Sequence, residues 1–128
     1  MLTQMRGRDL FRFQPSKAWL PRVNLYETES CFFVCAELPG MQREEIEVHV
    51  SDGVLRIRGV RKKPHLPQCP VGDPEGCSIS VHLMEIDFGE FERKITLPAD
   101  VAVEQISATY RNGYLWVVLP QAEAARLS

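Results

Sequence analysis

The stretch ISATYRNGYLWVVLP, Ile106 to Pro120, decides how this chain folds. Ile106, Ala108 and Tyr110 alternate with Ser107, Thr109 and Arg111, the period of two expected of a strand with one buried and one wet face. Asn112-Gly113 follows, the pair that most readily takes positive φ at both centres of a type I′ turn, so the chain should fold straight back as a hairpin. The returning Tyr114 to Leu119 is apolar at every position, which predicts a central strand covered on both faces. Pro120 ends it.

Three more stretches carry the same kind of signal. In Glu45 to Gly59, Ile46, Val48 and Val50 alternate with Glu47, His49 and Ser51, Asp52-Gly53 supplies a tight turn, and Leu55 and Ile57 alternate with Val54, Arg56 and Arg58. His49 falls on the polar face, where a solvated role is expected. Cys31 to Leu38 (CFFVCAEL) is a dense apolar run closed by Pro39-Gly40, and predicts a buried central strand. Phe88 to Pro98 reads FGEFERKITLP, with Phe91, Ile95 and Leu97 in one phase and Arg93 in that same apolar phase. An arginine so placed must snorkel or find a partner, for which Glu85 or Glu90 is expected.

Together these stretches resemble the alpha-crystallin domain of the small heat-shock proteins. Ala108 to Leu115 is similar to the A-x-x-x-N-G-x-L signature, Leu38-Pro39-Gly40 to the family's L-P-G turn, Asp52 to Gly59 to its second hairpin, and Phe88 to Pro98 to its aromatic-G-x-F-x-R-x-x-x-L-P run. Seven or eight short strands with turns every 8 to 12 residues already predict an all-β sandwich. The resemblance makes it an immunoglobulin-like antiparallel β-sandwich over 21–120, preceded by a mobile N-terminal arm (1–20) and followed by a short tail (121–128). It also implies that Ile46, Val48 and Val50 on one strand and Ile106, Ala108 and Tyr110 on another flank an apolar groove that takes client or peptide.

Residues 60–80 carry Pro64, Pro67, Pro70 and Pro74 and predict an irregular segment, longer than a compact domain usually tolerates without a reason. In bacterial and plant members of the family the corresponding loop reaches out and lays a short strand on the partner subunit. Here that strand would be Ser80 to Glu85, added to the partner's Val23 to Tyr26 edge. The resemblance thus implies a homodimer by strand exchange, alone or as the unit of a larger oligomer, with Val23, Leu25, Val81, Leu83, Glu85 and Arg93 at the interface. Glu85-Ile86 departs from the family's Glu-Arg and weakens the expected inter-subunit ion pairing. The ending QAEAARLS lacks the family's I-x-I tripeptide, which predicts weakened higher assembly.

Composition narrows the function. A net charge of −2 offers no footprint for nucleic acid, and no apolar run approaches the length of a membrane span. The first 20 residues hold Phe11, Phe13 and Trp19, more aromatic than a purely solvating tail, and are expected to contact clients and other subunits. They lack the apolar core of a secretory signal, and their arginines give only a slight likeness to a transit peptide. Cys31 and Cys35 lie about 13 Å apart along one strand face, too far for a disulfide. Cys69 and Cys77 lie in the loop, free or closed on each other. Their C-x7-C spacing lacks the tight knuckle of structural zinc, even with His65 and His82 nearby, so no metal is expected. Free thiols point to a reducing cytoplasm.

No phosphate-binding glycine loop, nucleophile elbow or metalloprotease spacing occurs, so neither enzyme activity nor a cofactor is expected. The resemblance implies an ATP-independent chaperone, a holdase that binds partly unfolded proteins. The competing reading is a co-chaperone or adaptor resembling the CS domain, a related sandwich without the projecting loop.

Overall fold

The structure is a computed structural model and describes residues 19–68, 70–71 and 79–127. Each hairpin foreseen from its turn residues is present. Ser107–Arg111 (β6) pairs antiparallel with Tyr114–Pro120 (β7), joined at Asn112 and Gly113 with φ of 54° and 83°. Ile46–Ser51 (β3) pairs with Val54–Arg61 (β4) across Asp52 and Gly53, at 53° and 75°. Asn, Asp and Gly carry this left-handed backbone because their short or absent side chains avoid the clash that excludes most residues.

The remaining strands are Val23–Glu27 (β1), Cys31–Glu37 (β2) and Gly89–Thr96 (β5). They complete a four-stranded sheet of order β1-β2-β7-β6 and a three-stranded sheet of order β3-β4-β5. This is the all-β sandwich that the strand pattern predicts, with seven strands among the described residues. Its core is the two facing layers, Phe32, Val34, Leu115 and Val117 from one sheet against Leu55, Ile57, Phe91 and Ile95 from the other. Gly59 lets the turn entering β3 close onto β4, since a Cβ there would stand 2.3 Å from the Glu45 carbonyl oxygen.

Two expectations are corrected. β7 is central in its sheet but covered on one face only: Leu115, Val117 and Leu119 are buried, while Tyr114 and Trp116 remain 48% and 40% exposed. A two-layer sandwich has nothing to lay on the outer side, so uniform apolarity here does not mean two-sided burial. β2 behaves in the same way, with Phe32, Val34 and Ala36 inward and Cys31, Phe33 and Cys35 half-exposed. Ser80 to Glu85, expected to pair with the β1 edge of a second copy, lies in no ladder within the single chain. The short tail after β7 holds a helix, Ala122–Leu127 (α1), entered through Gln121, whose Nε2 donates to Thr28 O at 3.0 Å.

Candidate functional site

β3 and β6 are the free edges of their two sheets and lie on the same side of the sandwich. Between them opens a cavity of about 210 Å³ lined by Arg43, Ile46, Val48, Ala108, Thr109, Tyr110 and Leu115. The structure thus brings together four of the six expected groove residues around one opening. Val50 and Ile106 are half-buried against the core beyond it. Period-two alternation places these side chains on the inner phase of edge strands, where no third strand covers them, so they are at once core and rim.

Tyr110 has a second role. Its hydroxyl donates to Leu38 O and accepts from Met41 N at 3.3 Å, tying the groove wall to the Leu38-Pro39-Gly40 turn. The ring is therefore fixed, and a ligand would meet a rigid wall at that end.

The opposite edge of the sandwich holds the second cluster. β1 has β2 on one side and no strand on the other among the described residues. Leu25 on it is 40% exposed. The segment between β4 and β5 leaves Val81, Leu83, Met84 and Ile86 exposed around an open concavity of about 750 Å³ lined by residues of that segment and its flanks.

Arg93 resolves differently from expectation. Its Nη1 donates to Pro21 O at 2.8 Å, so a backbone carbonyl stands where a carboxylate of Glu85 or Glu90 is expected. Trp19 is docked on the domain. Its ring packs on Phe91 with centroids 5.2 Å apart, Nε1 donates to Gly89 O at 3.0 Å, and the Arg61 guanidinium lies 4.1 Å from its centroid. Arg61 also donates to Asp87 O and Pro39 O, joining the base of the projecting segment to the L-P-G turn. Sequence reasoning missed Arg61 because it reads as one more solvated charge on an alternating strand. Phe11, Phe13, Cys69 and Cys77 lie outside the described residues.

The outer face of the three-stranded sheet is charged and internally paired: Arg58 Nε to Glu47 Oε1 at 2.8 Å, Arg56 Nε to Glu92 Oε2 at 3.0 Å, and Lys62 Nζ to Glu45 Oε2 at 3.2 Å. His49 is exposed on that face, as expected. The Gln42 backbone N–H, with help from Lys62, holds the Glu45 carboxyl below its ordinary range. On the other sheet, burial and then the nearby Glu37 carboxylate push the Cys35 thiol up, so it lines its face as a neutral thiol. Among the described residues no group of three metal-binding side chains occurs, and no helix is long and apolar enough to cross a membrane.

Two antiparallel sheets, a groove between their edge strands β3 and β6 and a long projecting segment between β4 and β5 define an alpha-crystallin-type sandwich. The chain belongs to the Hsp20/alpha crystallin family, which it matches over residues 24–127. It is 36% identical over 106 residues to the 17.8 kDa class I heat shock protein of Arabidopsis thaliana, covering 82% of this chain and 62% of that one. It is 28% identical over 110 residues to small heat shock protein C2 of Rickettsia felis, covering 86% and 66%. The chain thus spans somewhat under two-thirds of the length of these relatives. Among solved structures it resembles heat shock protein 16.0 of Schizosaccharomyces pombe (TM-score 0.66, 30% identity, 81% of this chain and 88% of that one). It equally resembles hspA of Xanthomonas axonopodis (TM-score 0.66, 31% identity, 83% and 97%).

Proposed function

We propose that this chain is an ATP-independent holdase that captures partly unfolded proteins and slows their aggregation in the cytoplasm. The observation that carries the reading is the groove between β3 and β6: walled by Ile46, Val48, Ala108 and Leu115 with Arg43 and Thr109 at its polar side, and bordered by two strand edges whose free backbone groups can pair with an extended chain. Captured chains are removed from an aggregation process that is second order or higher in unfolded protein, so no fuel is needed. The match to small heat shock proteins supports it. The test is light scattering from a heat-unfolded model client, without ATP, at increasing chain-to-client ratios. Suppression by the native chain that is lost in Val48→Asp supports the reading, and equal scattering with and without a molar excess of native chain refutes it.

The working unit is a homodimer formed by strand exchange, in which Ser80 to Glu85 gains the ladder it lacks in the protomer by pairing with the β1 edge of a second copy. The exposed Leu25, Val81 and Leu83 would then be covered, and Arg93, bound to Pro21 O at the root of β1, would hold that edge in place. Replacing 64–84 by a short Gly/Ser linker should convert the chain to a monomer by light scattering. A monomeric native chain would instead favour the CS-like adaptor.

A further inference from the structure

The outer face of the four-stranded sheet is the one broad surface of the sandwich whose make-up is unexplained by the groove or by the projecting segment. In register across it stand Tyr26, Phe33 and Val118 in one row and Asn24, Cys35 and Trp116 in the next. Tyr26 and Trp116 stack with centroids 6.2 Å apart, and both stay at least 40% exposed. Tyr114 continues the strip, 48% exposed. Isolated exposed apolar residues are ordinary, but a contiguous aromatic strip on a sheet face is not. Glu29 and Glu37 stand exposed at its borders, with Arg111 as a cation at the β6–β7 end.

We propose that residues 1–18 of this chain dock on this face, with Phe11 and Phe13 over the strip formed by Tyr26, Phe33, Trp116 and Val118. Three observations select this occupant. The first is where the segment starts. Trp19 is pinned to Gly89, Phe91 and Arg61, and Pro21 to Arg93, so the segment before Trp19 starts from a fixed point on the domain only four residues ahead of β1, the strand that carries Tyr26. The second is reach: four strands span about 14 Å between the outermost axes, whereas Phe13 and Phe11, six and eight residues before the anchored Trp19, can extend up to about 20 and 26 Å from it. The third is chemistry. Residues 1–18 contain Leu10, Phe11 and Phe13 and carry four basic side chains against one acidic, a net +3. The rest of the chain carries eleven basic and sixteen acidic, a net −5. The segment is therefore apolar where the strip is apolar and opposite in charge to the domain that bears it.

The docking does not depend on client binding, and its readout needs no client. Arg8 and Arg12 are tryptic sites, and when opening is fast, cleavage there tracks the population of the undocked segment. A segment docked about ten-elevenths of the time is cut about tenfold more slowly than a free one, so the full-length Trp116→Thr and Tyr26→Ser variants should be cut up to about tenfold faster than the native chain. Both replaced side chains are exposed, and an unchanged far-UV spectrum and melting temperature confirm that the fold survives. A second measurement reads the other side of the contact. With Trp19→Phe, which keeps an aromatic ring on Phe91, Trp116 is the sole tryptophan; acrylamide should quench it more strongly once Phe11→Ser and Phe13→Ser are added. Equal cleavage rates in native and Trp116→Thr chains would overturn the proposal. So would Trp116 remaining shielded in the Phe11→Ser/Phe13→Ser chain while Trp116→Thr lowers the solution mass, a result that makes a second copy the occupant.

Discussion

The two outward faces of this sandwich are built on opposite principles. The three-stranded sheet turns Glu47, Arg56, Arg58 and Glu92 to solvent as cross-strand ion pairs, and these need nothing further to be stable in water. The four-stranded sheet turns out Tyr26, Phe33, Trp116 and Val118, which gain by being covered. Both faces alternate with the same buried core, so the difference is not required by folding. A charged face closes the molecule off, and an aromatic one leaves it open to another segment of chain.

The largest expected effect tests whether the charged sheet is as tightly specified as its ion pairs suggest. Gly59→Ala would drive a Cβ to within 2.3 Å of the Glu45 carbonyl, where backbone must move. A loss of about 3 kcal/mol, measured by denaturant unfolding, is expected. A neutral result would mean that β3 rides loosely on β4.

Neighbouring valines on β7 separate inside from outside at constant chemistry. Val117 is fully buried and Val118 half-exposed on the aromatic face. Val117→Ala should cost about 2 kcal/mol and Val118→Ala clearly less. Equal costs would mean that the outer face is already as well covered as the core.

The smaller effects concern the charged face. The contribution of Glu45 is complete above its unfolded value near 4.5 and is lost as pH falls through the lower folded value, since its carboxyl is depressed by the Gln42 N–H and then by Lys62. The stability difference between native chain and Glu45→Gln should therefore be present at neutral pH and vanish in acid. Exposed as they are, Glu47 and Arg58 should show the smallest coupling in a double-mutant cycle, and about 1 M salt should erase it. A coupling that survives salt would make this face a more rigid structure than a solvated one.

Much of this was legible beforehand, for identifiable reasons. Asn112-Gly113 and Asp52-Gly53 specify their turns locally, and alternation then assigns every residue of both hairpins to a face. The groove residues Ile46, Val48, Ala108 and Tyr110 followed from that assignment and the family resemblance together. What was hidden depended on neighbours that local pattern does not name. Tyr114 and Trp116 read as core because apolarity says nothing about whether a second layer exists. Trp19 read as arm because its partners, Gly89 and Arg61, lie 70 and 42 positions away. Ser80 to Glu85 has strand-like alternation, yet its pairing edge is missing from the protomer.

The claim at the centre of this account is that the β3–β6 groove is where an unfolding chain is held. The most direct measurement is the backbone amide NMR spectrum of the native chain titrated with a destabilised client. Shifts concentrated at Ile46 to Val50 and Ile106 to Tyr110 are predicted, as an added extended segment pairs with both edges. Client binding with those amides unmoved would contradict it.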